Sequence, residues 1–188
     1  MKLLISGYAE FAASELGIRE RFTSEINQSV SEKRRREMAL TNYLVERMFG
    51  SRARLLHDSD GAPCVEGYSG TVSVTHSLGY VAVACDDSRR IGIDIESPRE
   101  TLRRVARRFL SEAELPVYSR DLGLLLRAWT AKEAVYKAAG VKLLGSHDIV
   151  LPSDPLSPLV TAAGRCFAVT YHPIGDELMA VATEVEKR

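Results

Sequence analysis

Two long stretches with apolar residues at helical spacing each lie beside short strand-like runs, and this arrangement leaves few folds open. From about Glu32 to Phe49, Met38, Leu40, Leu44, Val45 and Met48 form one apolar stripe, and Gly50 follows as a C-cap. Leu122 to Ala139 predicts a second long helix, ended by Gly140. Between them, Thr71 to His76 and Tyr80 to Cys85 read as strands joined in hairpin fashion at Ser77-Leu78-Gly79. Asp86-Asp87-Ser88 is a turn, and Ile91 to Glu96 predicts a third strand. Thr101 to Leu110 predicts a helix with Leu102, Val105, Ala106 and Phe109 on one face and arginines on the other. Ser111 and Glu114 have the spacing of a capping box. After Asp148 to Leu151 and a Pro-rich turn through Pro152, Pro155 and Pro158, strands are expected near Arg165 to Tyr171 and Glu177 to Glu184. The pattern predicts an α+β fold with two related halves, residues 1–90 and 91–188, each with a helix packed on a small, mostly antiparallel sheet.

Composition narrows the function classes. The chain has 188 residues, with 25 Lys and Arg against 25 Asp and Glu, so no net charge grips nucleic acid or an anionic membrane. Its longest purely apolar run, Val81 to Cys85, is far short of the ~20 residues of a membrane span. The first ten residues carry one basic residue and an apolar core too short for a signal peptide. Cys64, Cys85 and Cys166 are odd in number and widely spaced, which suggests neither a disulfide framework nor a thiolate metal site. The expectation is a cytoplasmic, soluble protein. Basic residues cluster in Lys33 to Arg36, in Arg89-Arg90, and in Arg99, Arg103, Arg104, Arg107 and Arg108; such runs are either solvated faces or sites for an anionic partner.

Three short motifs carry the chemistry. In Gly92-Ile93-Asp94-Ile95-Glu96, strand alternation puts Asp94 and Glu96 on one face and the isoleucines on the other. Two carboxylates side by side repel unless water or a cation separates them, so the pair is either a solvated strand face or a cation site. In Trp129-Thr130-Ala131-Lys132-Glu133-Ala134-Val135-Tyr136-Lys137, helical spacing puts Trp129, Glu133 and Lys137 on one face. That is either a surface ion pair beside a packed tryptophan or part of a site. In Thr75-His76-Ser77 before Gly79, a histidine and hydroxyl at a turn fit either a structural role or a phosphate.

Taken in order, His76-Ser77, Gly92 to Glu96, Phe109-Leu110-Ser111 with Glu114, and Trp129 to Lys137 resemble the 4′-phosphopantetheinyl transferase superfamily. The likeness is nearest to its surfactin-synthetase-activating type, in which two pseudo-symmetric halves share one chain. Such enzymes move the phosphopantetheine arm of coenzyme A onto a serine of an acyl or peptidyl carrier protein and release adenosine 3′,5′-bisphosphate. The resemblance implies that Asp94, Glu96 and Glu133 hold Mg²⁺, that Glu133 is also the base toward the carrier serine, and that Lys137 stabilises or protonates the leaving bisphosphate. It implies coenzyme A contacts at His76, Ser77, Arg35, Lys132 and Lys137. The residue types suit the task, because a hard cation held by carboxylates neutralises phosphate oxygens. The expected halves thus divide the work, with nucleotide contacts in 1–90 and metal and catalytic residues in 91–188.

Two positions depart from the family pattern. Gly61-Ala62-Pro63 has alanine where a lysine or arginine is common, and Asn42 stands where an arginine is common; Arg35, Arg36 and Arg54 are the cations on hand to compensate. Trp129 is expected to pack in the core and fix its helix. The Arg99 to Arg108 face is a candidate docking surface for an acidic carrier protein. A monomer is expected, since two halves lie in one chain. The other readings are a non-catalytic protein that binds coenzyme A or a carrier, and a different Mg²⁺-dependent phosphoryl enzyme.

Overall fold

Strand pairing organises the chain into two units, Met1–Asp87 and Ser88–Arg188, in a computed structural model that describes residues 1–13 and 31–186. The first unit runs β1 (Lys2–Gly7), α1 (Tyr8–Ala13), α2 (Glu32–Phe49), β2 (Leu55–His57), β3 (Pro63–Val65), β4 (Thr71–His76) and β5 (Tyr80–Asp86). β1, β5 and β4 form an antiparallel sheet in that order, with Lys2 opposite Cys85 and Thr71 opposite Asp86. The middle strand is the apolar one, and its Val81 to Ala84 are fully buried. Alternate residues Val81, Val83 and Cys85 share a core with Leu40, Leu44 and Val45 of α2. Each such Val or Leu contributes ~1.5–3 kcal/mol by leaving water. Ser31 caps α2 by accepting from Arg34 N at 3.3 Å, and the helix stops at Gly50, whose φ of +103° suits glycine. β2 and β3 form a separate hairpin. Its turn is held by Asp58 Oδ1, which accepts from the N–H of Asp60 and of Ala62, both at 2.9 Å.

The second unit runs β6 (Ile91–Glu96), α3 (Thr101–Phe109), α4 (Leu115–Tyr118), α5 (Leu122–Ala139), β7 (Ile149–Val150), β8 (Leu159–Ala162), β9 (Arg165–Ile174) and β10 (Glu177–Val185). The strands form one antiparallel sheet in the order β6-β10-β9-β8-β7. A helix can lie close to a sheet only where both present small residues. Here α5 presents Ala128, Ala131, Ala134 and Ala138, all fully buried, and β6 presents Gly92. A Cβ on Gly92 would come within 2.6 Å of Ala138 N and closer still to Ala134 O, so the absent side chain is what admits the helix. Asp121 caps α5 through Oδ1, which accepts from Leu124 N at 2.8 Å, and Gly140 ends it in the left-handed conformation.

The molecule is mixed α and β with antiparallel sheets, as the pattern predicts, and each unit carries an 18-residue helix. The sheets differ, with three strands in the first unit and five in the second among the described residues. The Pro-rich segment does not end in a loop alone. Pro158 O accepts from Val169 N at 2.7 Å and β8 starts at the next residue, because a proline lacks only the donor half of a ladder. Among the described residues no helix is long and apolar enough to cross a membrane.

Candidate active site

Ile91, Ile93 and Ile95 take one side of β6, so Asp94 and Glu96 take the side on which Gly92 meets α5. Helix and strand run in opposite directions. Midway along α5, Trp129 Nε1 donates to Glu96 Oε1 at 3.1 Å. Two turns on, Lys137 Nζ donates to Asp94 Oδ1 at 2.8 Å and to Ile93 O at 2.9 Å. Glu133 lies on the stripe between them. The pair grouped by strand alternation, Asp94 and Glu96, and the trio grouped by helical spacing, Trp129, Glu133 and Lys137, are thereby gathered on one face.

The electrostatics of that face are those of crowded carboxylates. Asp94 is only 7% exposed and has Lys137 as its counter-charge. Burial pushes the Glu133 carboxyl above its ordinary value, the charge of Asp94 pushes it further, Lys137 pulls it back, and Glu96 adds a smaller upward push. Glu96 is also raised, first by burial; the Trp129 hydrogen bond and Arg99 act against this, while Asp94 and Glu177 reinforce it. Arg99 Nη2 reaches the same Glu96 Oε1 at 3.0 Å. Among the described residues no three His, Cys, Asp or Glu side chains are grouped closely enough to enclose a metal ion. What is present is a largely buried face whose acidic donors are all carboxylate oxygens. That donor chemistry fits a hard cation such as Mg²⁺, which keeps waters and takes its remaining ligands from a bound phosphate.

Lys132 is placed elsewhere. It is 2% exposed, and its three N–H donors go to Glu114 Oε2 at 2.8 Å, Ser146 O at 2.9 Å and Ile149 O at 2.7 Å. With no donor left over, it is a tie inside the second unit, where the resemblance implies a coenzyme A contact. Burial lowers its pKa, and the hydrogen bond and charge of Glu114 resist the drop. Glu114 itself completes the capping box with Ser111, its Oε2 accepting from Ser111 N at 2.8 Å while its own N–H donates to Ser111 Oγ at 3.3 Å. Its Oε1 accepts from Leu151 N at 2.8 Å.

In the first unit, Ser77 builds the β4–β5 turn: its Oγ accepts from Tyr80 N at 3.1 Å and Gly79 N at 3.3 Å. His76 is exposed, with Nε2 3.3 Å from Arg34 Nη1 and 3.8 Å from Glu37 Oε2. Glu37 is buried and also holds Arg34 at 3.1 Å and Lys33 at 3.8 Å, so three basic groups gather around one carboxylate. Arg35 is half-buried on the same helix. The sequence reading missed three roles. Arg34 and Glu37 are the partners of His76, and Trp129 is a donor to Glu96 as well as a packing group. A glutamate at helical spacing from Lys33 and Arg34 is the sequence signal for the first two.

Two comparisons with known proteins bear on the segment that carries this face. Residues 90–173 match the model of the 4′-phosphopantetheinyl transferase superfamily. The chain is also 28% identical over 153 residues to the 4′-phosphopantetheinyl transferase AcpT of Salmonella typhi, a match covering 75% of this chain and 76% of that protein. The stretch that holds Asp94, Glu96, Glu133 and Lys137 is therefore the stretch in which this chain is similar to the 4′-phosphopantetheinyl transferase superfamily.

Proposed function

We propose that this protein transfers 4′-phosphopantetheine from coenzyme A to a serine of an acyl or peptidyl carrier protein, giving holo carrier and adenosine 3′,5′-bisphosphate. The observation that carries this reading is the face formed by Asp94, Glu96, Glu133 and Lys137, inside the segment that matches the transferase superfamily. The carrier serine Oγ bonds to the phosphorus that bears the pantetheine arm, and the bond from that phosphorus to the bridging oxygen breaks. Glu133, on the helix stripe between Trp129 and Lys137, takes the serine proton. Lys137, already a donor to Asp94, neutralises or protonates the leaving phosphate. Asp94, Glu96 and Glu133 would hold Mg²⁺, which when bound supplies positive charge against the phosphate oxygens.

His76 with Arg34, and Arg35, are the first unit's candidates for the nucleotide phosphates. Ser77 is a candidate through its turn's backbone N–H groups, its hydroxyl being engaged. Lys132 leaves the set for the reason given above. A two-half, pseudo-symmetric, surfactin-activating architecture, a monomer and a cytoplasmic setting go with the reading. The test is release of adenosine 3′,5′-bisphosphate from coenzyme A with and without apo carrier. Release that requires the carrier supports transfer. Release without it means a coenzyme A hydrolase, and binding without release means a non-catalytic protein.

A further inference from the structure

Glu96 is oriented by two donors that fall on one of its oxygens. Trp129 Nε1 lies 3.1 Å and Arg99 Nη2 3.0 Å from Oε1, and neither donates to Oε2. The two donors differ in kind. Arg99 is exposed and attached through a long flexible chain, whereas the indole is braced edge-on against the fully buried Phe109, with ring centroids 5.0 Å apart at 76°. A carboxylate that ligates a cation is only as well aimed as the groups that hold it, and loss of such an outer partner typically weakens metal binding ~10–100-fold.

We propose that Trp129 is a positioning residue: its N–H, braced by Phe109, fixes Glu96 through Oε1 and leaves Oε2 to a divalent cation. The inference rests on the reading that Asp94, Glu96 and Glu133 form a cation site, and it adds a role that packing alone does not require. A tryptophan serving only as core would do as well as a phenylalanine. One that aims Glu96 would not.

The test uses the full chain with coenzyme A present and Mn²⁺ as the probe, its free concentration followed by electron paramagnetic resonance. Trp129→Phe keeps the aromatic packing and removes the donor, so Mn²⁺ should bind about tenfold more weakly or worse, with helix content unchanged by circular dichroism. A second arm needs no change at position 129. Trp129 is the chain's one tryptophan, so its emission reports on this hydrogen bond directly. Mg²⁺ should shift that emission saturably at the concentrations that displace Mn²⁺, and Glu96→Gln should abolish the shift. Equal Mn²⁺ affinity in Trp129→Phe and wild type, or an emission that stays flat while the cation binds, overturns the inference and leaves the cation site standing. A wild-type chain that binds no Mn²⁺ overturns the cation site, and the inference falls with it.

Discussion

Lys132 and Lys137 lie on the same helix and meet opposite surroundings. Lys132 ends among three acceptors in the interior, whereas Lys137 reaches the half-open face beside Asp94. Removing Lys132 leaves the Glu114 carboxylate buried without its counter-charge, a loss of about 3–5 kcal/mol. Lys132→Met should therefore lower the urea midpoint strongly, and adding Glu114→Gln should recover part of the loss. A variant of wild-type stability with weaker coenzyme A binding would instead put Lys132 at the nucleotide. Glu133 makes a prediction in pH. Burial, then the charge of Asp94, raises its carboxyl above the ordinary value, so the folded chain keeps that proton to higher pH than the unfolded chain. Between the ordinary and the raised value the folded state binds more protons, so stability falls as pH rises through that window. Glu133→Gln removes the fall. Its urea midpoint should gain on wild type as the pH climbs from about 4.5 to neutral, and a difference that does not vary with pH would contradict the assignment. Spacing alone groups Trp129, Glu133 and Lys137, and alternation alone groups Asp94 with Glu96. Which member of one group faces which of the other is not legible there, because it depends on the direction in which α5 crosses β6.

At the scale of elements, the contact of α5 with β6 holds the site together, and Gly92 permits it. Gly92→Ala puts a Cβ into the helix backbone, and such overpacking costs ~1–3 kcal/mol. The larger effect should be on turnover, since the shift carries Glu133 and Lys137 away from Asp94. Thermal unfolding and the initial rate, measured together, should show a moderate drop in midpoint and a severe drop in rate; a wild-type rate would mean that the two elements need not touch so closely. The long helices were legible because each combines an apolar stripe with a glycine stop, at Gly50 and Gly140. β1 was not, because Lys2–Gly7 becomes a strand only by pairing with Tyr80–Cys85, far along the chain. β8 was hidden by the prolines that precede it, and β2 and β3 by having three residues each. The bond from Lys132 to Glu114 joins separate elements, so no local pattern announces it.

For the molecule as a whole, a formal net charge of zero conceals a one-sided helix. On α3, Leu102, Ala106 and Phe109 are buried, while Arg103, Arg104, Arg107 and Arg108 are exposed. Arg103 is paired with Glu100, and the others extend the basic face along the helix. If an acidic carrier docks there, Arg103→Glu with Arg107→Glu should raise the carrier's KM at least tenfold, more steeply at low salt, and leave the KM for coenzyme A unchanged. Equal effects on both substrates, or none, would move the docking surface elsewhere. Transfer itself is read by intact mass spectrometry of an apo acyl carrier protein incubated with this protein, coenzyme A and Mg²⁺. The carrier should become heavier by one phosphopantetheine group, with the gain abolished by a chelator and by Asp94→Asn. A carrier of unchanged mass, across several apo carriers of fatty-acid, polyketide and peptide synthesis, would contradict it.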